Sequence, residues 1–144
     1  MLGSLIPGYM GYAEKEGRRN CDKLLRESIS SDLLEFEKLL YQDMNKAMKM
    51  KDKSKMNEIE DVRKRINTFS SKIKYSAYGA SSFFADDKIS EGELDHIYQL
   101  DIGLSKGIAH LVSISIDQIS DIIKELDKCK EILNLRTNYI NEFK

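Results

Sequence analysis

The stretch Ile59-Glu60-Asp61-Val62-Arg63-Lys64-Arg65-Ile66-Asn67-Thr68-Phe69-Ser70-Ser71-Lys72-Ile73-Lys74-Tyr75-Ser76-Ala77 decides the fold. Its apolar residues Ile59, Val62, Ile66, Phe69, Ile73 and Ala77 recur at steps of three and four, and nearly everything between them is charged or polar. That spacing puts them on one face of an α-helix and makes a heptad-like seam. The spacing predicts a helix over 55–78.

Upstream, Leu25, Ile29, Leu33, Phe36, Leu40, Met44 and Ala47 repeat the same steps. They predict helix over about 14–51, starting near Ala13 or Glu14. Ser28-Ile29-Ser30-Ser31-Asp32 is a weak point, and Asp32 with Glu35 has capping-box spacing, so one helix or two fit. The connection Lys51-Asp52-Lys53-Ser54 is short and polar, with Ser54 as the expected N-cap. A link this short makes its two helices antiparallel.

Downstream, residues 79–89 break the pattern with Gly79, paired serines, Phe83-Phe84 and Asp86-Asp87. They read as a loop. Ser90-Glu91-Gly92-Glu93 is a capping box, flanked by Ile89 and Leu94 as a hydrophobic staple. A helix begins at 91. Its stripe runs from Leu94 through Ile97, Leu104, Ile108, Leu111, Ile119, Ile122, Leu126, Cys129 and Leu133 to Ile140. One continuous helix to about 142 would be roughly 75 Å long. Gly103 and Gly107 are where it could kink, or where another backbone could approach closely. Val112-Ser113-Ile114-Ser115-Ile116-Asp117 alternates like a strand, but the helical period resumes on both sides, so helix is the expectation.

Residues 1–13 form an irregular aromatic lead. Pro7-Gly8 suits the centre of a type II turn, because Pro presets φ and Gly accepts positive φ. The whole chain reads as one all-α domain over 1–144, an antiparallel helical hairpin (14–78) packed on a long C-terminal helix (90–144). This is a three- or four-helix bundle with coiled-coil-like seams.

Composition agrees. The 144 residues are 33% charged and 41% apolar, without tryptophan, and the net charge is −1. That balance argues against general nucleic-acid binding, though not against a local basic patch. Cys21 and Cys129 do not make a disulfide framework, so a reducing compartment is expected. The opening MLGSLIPGYMGY lacks the charge and apolar run of a secretory signal, and no stretch reaches the ~18 apolar residues of a spanning helix. The expected location is cytoplasmic.

Three metal patterns fall short. Ile89-Ser90 with Glu93-Leu94 resembles the end of a calcium loop, but Asp87 stands where the turn glycine belongs, and Phe84 and Ser82 occupy ligand positions. Glu93 and His96 have the Glu-x-x-His spacing of di-metal bundles, but His110 has Gly107 where the second glutamate is needed. Cys21, Cys129, His96 and His110 contain no chelating local pair. Phosphate loops, HExxH and nucleophile elbows are absent. No catalytic residue, metal, cofactor or small-molecule substrate is expected, and the chain does not read as an enzyme.

Two features remain. Residues 46–74 carry a surplus of six positive charges, and 86–101 a surplus of five negative ones. Lys46, Lys49, Lys51, Lys53 and Lys55 make the hairpin tip a candidate basic patch for an acidic partner, an anionic membrane or nucleic acid, with single strands disfavoured by the lack of nearby stacking aromatics, or merely a solvated corner. The aromatics Tyr9, Tyr12, Tyr75, Tyr78, Phe83, Phe84 and Tyr98 gather in or beside the two irregular regions. Either the lead folds over the bundle end and packs with 75–84, or these residues form an exposed patch for a partner.

Pro7-Gly8-Tyr9, Gly11-Tyr12, Lys15-Glu16, Arg18-Arg19, Asp22-Lys23 and Leu25-Arg26 resemble the opening of a family of small, uncharacterised bacterial helical proteins. So do Tyr75, Tyr78-Gly79, Phe83-Phe84, Leu94-Asp95, Ile97-Tyr98 and Leu100-Asp101. About a third of the chain is covered. The resemblance implies no activity, but it suggests that the two segments work together, with Lys15, Arg18, Arg19, Lys23 and Arg26 pairing to Asp95 and Asp101. The expected function is a non-catalytic helical protein-interaction or scaffold module, with self-association as one form of that interaction. The alternative is a peripheral adaptor at an anionic membrane, using the lead and the lysine-rich tip.

Overall fold

The computed structural model describes residues 2–6, 8–13, 17–75, 83–84 and 89–142. It is an all-α bundle, with no strand among the described residues. The helices are α1 (Leu2–Leu5), α2 (Arg18–Lys49), α3 (Lys53–Tyr75), α4 (Glu91–Leu111) and α5 (Ile119–Glu142), with a 3-10 turn at Ile116–Gln118 before α5.

Helix α2 is continuous through Ser28–Asp32, and buries Cys21, Leu25, Ile29, Leu33, Phe36, Leu40 and Ala47. The seam is regular enough to carry the serine pair without a break. Asp32 and Glu35 therefore lie inside a helix rather than capping one. The helix starts at Arg18, later than the Ala13–Glu14 expectation, and residues 14–16 lie outside the described residues.

The turn to α3 is tight. The Asp52 N–H donates to the Ala47 carbonyl at 2.9 Å, and Lys51 takes the left-handed φ of 55°. A non-glycine residue there stores strain of about 1 kcal/mol or more. The cap of α3 is Asp52, whose Oδ1 accepts from the Lys55 N–H at 3.0 Å. Ser54, the expected cap, sits inside the first turn. The seam Ile59, Val62, Ile66, Phe69 and Ile73 is fully buried, as its spacing requires.

The C-terminal half corrects the expectation of one long helix. It breaks at 112–118, not at Gly103 or Gly107. The Ser113 hydroxyl donates to the His110 carbonyl at 2.6 Å, and Ser115 Oγ accepts from the Asp117 N–H. Serines that bond local backbone compete with the helical ladder, which the apolar period alone does not register.

Beyond it, α5 returns antiparallel to α4: Gly103 faces Ile132, Gly107 faces Cys129, and His110 Nδ1 lies 3.1 Å from Glu125 Oε2. A Cβ at Gly107 would sit 2.8 Å from Cys129 Sγ, so this glycine lets the two helices approach. The bundle is two antiparallel hairpins, α2–α3 and α4–α5. Their tips meet where Lys55 Nζ reaches the Ile116 carbonyl at 3.4 Å and Asp117 at 3.5 Å.

At the other end, Ser90 and Glu93 close the expected capping box, with the Glu93 N–H donating to Ser90 Oγ at 3.2 Å. Ile89 and Leu94 are both buried beside it. The lead folds over this end. Gly8 adopts φ 82° and the Tyr9 N–H donates to the Ile6 carbonyl at 3.1 Å, the geometry a turn at Pro7-Gly8 calls for. Leu2, Ile6, Tyr9 and Tyr12 are buried.

Candidate functional site

The lead-covered end is built around charge rather than oil. Arg136 on α5 is 2% exposed, Asp101 on α4 is 0% and Asp22 on α2 is 3%. Arg136 Nε donates to Asp101 Oδ1 at 2.6 Å, and its Nη2 donates to Asp22 Oδ1 at 2.7 Å and to the Tyr12 hydroxyl at 3.3 Å. The Tyr12 hydroxyl donates to Asp101 Oδ2. Arg26 Nε completes Asp22 from the rim, at 3.0 Å from Oδ2. Two buried carboxylates thus share one buried guanidinium and one partly exposed one. Burial on this scale is tolerable only because the lone pairs and protons find partners.

The environment follows from these contacts. Burial pushes the Asp101 carboxyl above the usual carboxylate range, against the pull of Arg136. Burial, with the Asp101 charge beside it, holds the Tyr12 phenol well above its ordinary value. The Phe84 ring stacks on Tyr12 at 4.9 Å and lies under the Arg136 guanidinium at 5.9 Å. Phe83 meets Phe84 edge-on at 5.0 Å.

Above the cluster lies a cavity of about 570 Å³ between the lead and α4. Tyr9, Tyr12 and Tyr98 line it, with Arg18, Glu91, Leu94 and Asp95 around them. Tyr9 and Tyr98 stack at 6.3 Å. Arg18 reaches in from the start of α2, held by its Nε donating to the Tyr12 carbonyl at 2.9 Å.

Of the described aromatic candidates, Tyr9, Tyr12, Phe83 and Phe84 are core residues, so the folded-over lead is the arrangement found, and Tyr98 is partly accessible. The Tyr75 side chain and Tyr78 lie outside the described residues. Among the described residues the cross-bundle pairing expected of the basic row is corrected, and Lys15 lies outside them. Asp101 pairs with Arg136 instead, Arg26 with Asp22 and Lys23 with Glu27, while Asp95 forms no ion pair among the described residues. Arg136 belongs to neither segment of the resemblance, so nothing in those segments points to it as the partner of Asp101.

The basic patch lies at the hairpin tip, at the opposite end from the lead. Lys46, Lys49, Lys51 and Lys53 are exposed and without ion pairs among the described residues, whereas Lys55 is occupied by Ile116 and Asp117. Met48 and Met50 are exposed among them. Leu39 and Met50 flank a groove of about 790 Å³ between the tip and 112–117.

Among the described residues no three metal-ligating side chains gather. Cys21 and Cys129 are free, buried thiols on different hairpins. Burial, with Glu125 beside it, pushes the Cys129 thiol up to about 12, which keeps it unreactive. His96 packs its ring on Tyr139 at 4.3 Å. Asp87 and Ser82 of the calcium-loop pattern lie outside the described residues, and Phe84 is buried. No described helix is long and apolar enough to cross a membrane.

Comparison with protein-family models, curated proteins and solved structures gives no match.

Proposed function

We propose that the protein is a non-catalytic helical interaction module that pairs with a second copy of itself along α2. The observation that carries this reading is an apolar stripe on the outside of the bundle. Leu34, Tyr41 and Met48 are each half or more exposed and lie seven residues apart. Seven-residue spacing marks one of the two positions per heptad that a second helix packs against. Glu35, which pairs with Lys38 of its own helix at 3.0 Å, flanks the N-terminal half of the stripe and Lys49 the C-terminal half, so two copies crossing antiparallel at Tyr41 offer each Glu35 a second cation in Lys49 of the other. A patch complementary to itself in this way is what a two-fold dimer requires.

Sedimentation equilibrium tests it. A monomer–dimer equilibrium is expected, weakened by Leu34→Glu with Tyr41→Glu. Glu35→Lys or Lys49→Glu alone should weaken it, and the two together should restore it. A chain that stays monomeric at hundreds of micromolar would sink the reading.

A second reading is favoured by Met50, 81% exposed among four lysines that make no ion pair among the described residues. Apolar tips set in basic residues suit the surface of an anionic bilayer. In this reading the tip acts alone, because the buried lead lies at the far end. Flotation with anionic but not neutral vesicles, lost on Met50→Asp and at high salt, would support it. Absence of flotation at low salt would remove it.

A further inference from the structure

We propose that the cavity under the lead binds a free α-amino acid, or a like zwitterion, with an aromatic or large apolar side chain. Its volume of about 570 Å³ lies within the range of small-ligand pockets. Three charges line it. Glu91 and Asp95 stand one turn apart on α4, and neither makes an ion pair or hydrogen bond among the described residues. Like charges at this spacing repel on a helix. Arg18 uses only Nε, on the Tyr12 carbonyl, which leaves both Nη groups of its guanidinium fork unused among the described residues.

Opposite charges therefore share one cavity without closing on each other. A ligand with both signs spans the gap. Its carboxylate takes the Arg18 fork, a planar match, and its ammonium sits between Glu91 and Asp95. The stacked rings of Tyr9 and Tyr98, with Leu94, receive the apolar body. A purely anionic ligand would meet two carboxylates, and a purely cationic one would leave the guanidinium desolvated without a partner. The site does not depend on pairing along α2.

Three probes decide it by calorimetry and NMR titration of the full chain: L-phenylalanine, phenethylamine without the carboxylate, and 3-phenylpropionate without the ammonium. Phenylalanine should bind, and each half-probe should bind about tenfold or more weakly, the loss of a charge-assisted contact. Asp95→Asn should weaken phenylalanine and phenethylamine and spare phenylpropionate. Arg18→Gln should do the reverse. Asp95 touches no partner that folding needs, so its variant keeps the test alive if Arg18→Gln unfolds. Failure of all three probes at millimolar concentration would overturn the proposal. So would phenethylamine binding as tightly as phenylalanine.

Discussion

Arg136 and Asp101 meet at 2.6 Å with almost no exposure to solvent, each contributed by a different helix of the second hairpin. Around that contact Asp22 brings in α2 and Tyr12 brings in the lead, so four parts of the chain are tied at one guanidinium.

Removing one member leaves the others charged and buried. Asp101→Asn or Arg136→Met should cost about 3–5 kcal/mol in urea unfolding. Replacing Tyr12, Asp22, Asp101 and Arg136 together by apolar residues of similar volume should cost much less than the singles add up to, because the one charge left without its partner, Arg26, sits at the rim where water reaches it. Equal, additive losses would mean that the cluster is not the unit described here.

Gly107 and Gly103 should respond oppositely to alanine. At Gly107 a Cβ lands 2.8 Å from Cys129 Sγ, so Gly107→Ala should destabilise by about 1–3 kcal/mol through overpacking. At Gly103 the nearest atom is an ordinary 3.7 Å away, and Gly103→Ala should stabilise by up to about 1 kcal/mol through helix propensity. Cys129→Ala should recover much of the Gly107→Ala loss in a double-mutant cycle.

The caps separate two neighbouring residues. Asp52→Ala should cost about 1 kcal/mol and Ser54→Ala close to nothing, because only Asp52 accepts the orphan N–H. Ser90→Ala should match Asp52→Ala. Thermal unfolding midpoints of the three variants provide the comparison.

Alkali should weaken the fold. The folded state holds the Cys129 thiol at about 12 and the Tyr12 phenol well above its ordinary value, both raised first by burial. Above pH about 9 the unfolded chain releases protons that the folded chain keeps, so stability is full below that pH and falls as pH rises toward 12. Cys129→Ala should flatten the first part of this slope. A thiol reagent should find neither cysteine until the chain unfolds.

The helices were legible because the seams are simple. Ile59 to Ile73 and Leu25 to Ala47 are buried where a 3.6-residue period puts them. The break at 112–118 was concealed because Val112, Ile114 and Ile116 keep apolar density through it, while the decisive events are serine hydroxyls bonding backbone.

The buried charges escaped for a related reason. Asp101 stands four after Ile97 and three before Leu104, and Arg136 three after Leu133 and four before Ile140. Both occupy stripe positions. A charge at a stripe position is the signal that could have found them, although only three dimensions pair them.

The order of synthesis adds a consequence. Tyr12 and Asp22 leave the ribosome ahead of the guanidinium that neutralises their site, which is translated 114 residues after Asp22. The first hairpin can zip along its seam while the nascent chain is still growing, but Asp22 must stay hydrated until α5 arrives. Closure of the lead on its guanidinium therefore waits for α5, and a chain that stops before Arg136 leaves Asp22 and Tyr12 without that partner.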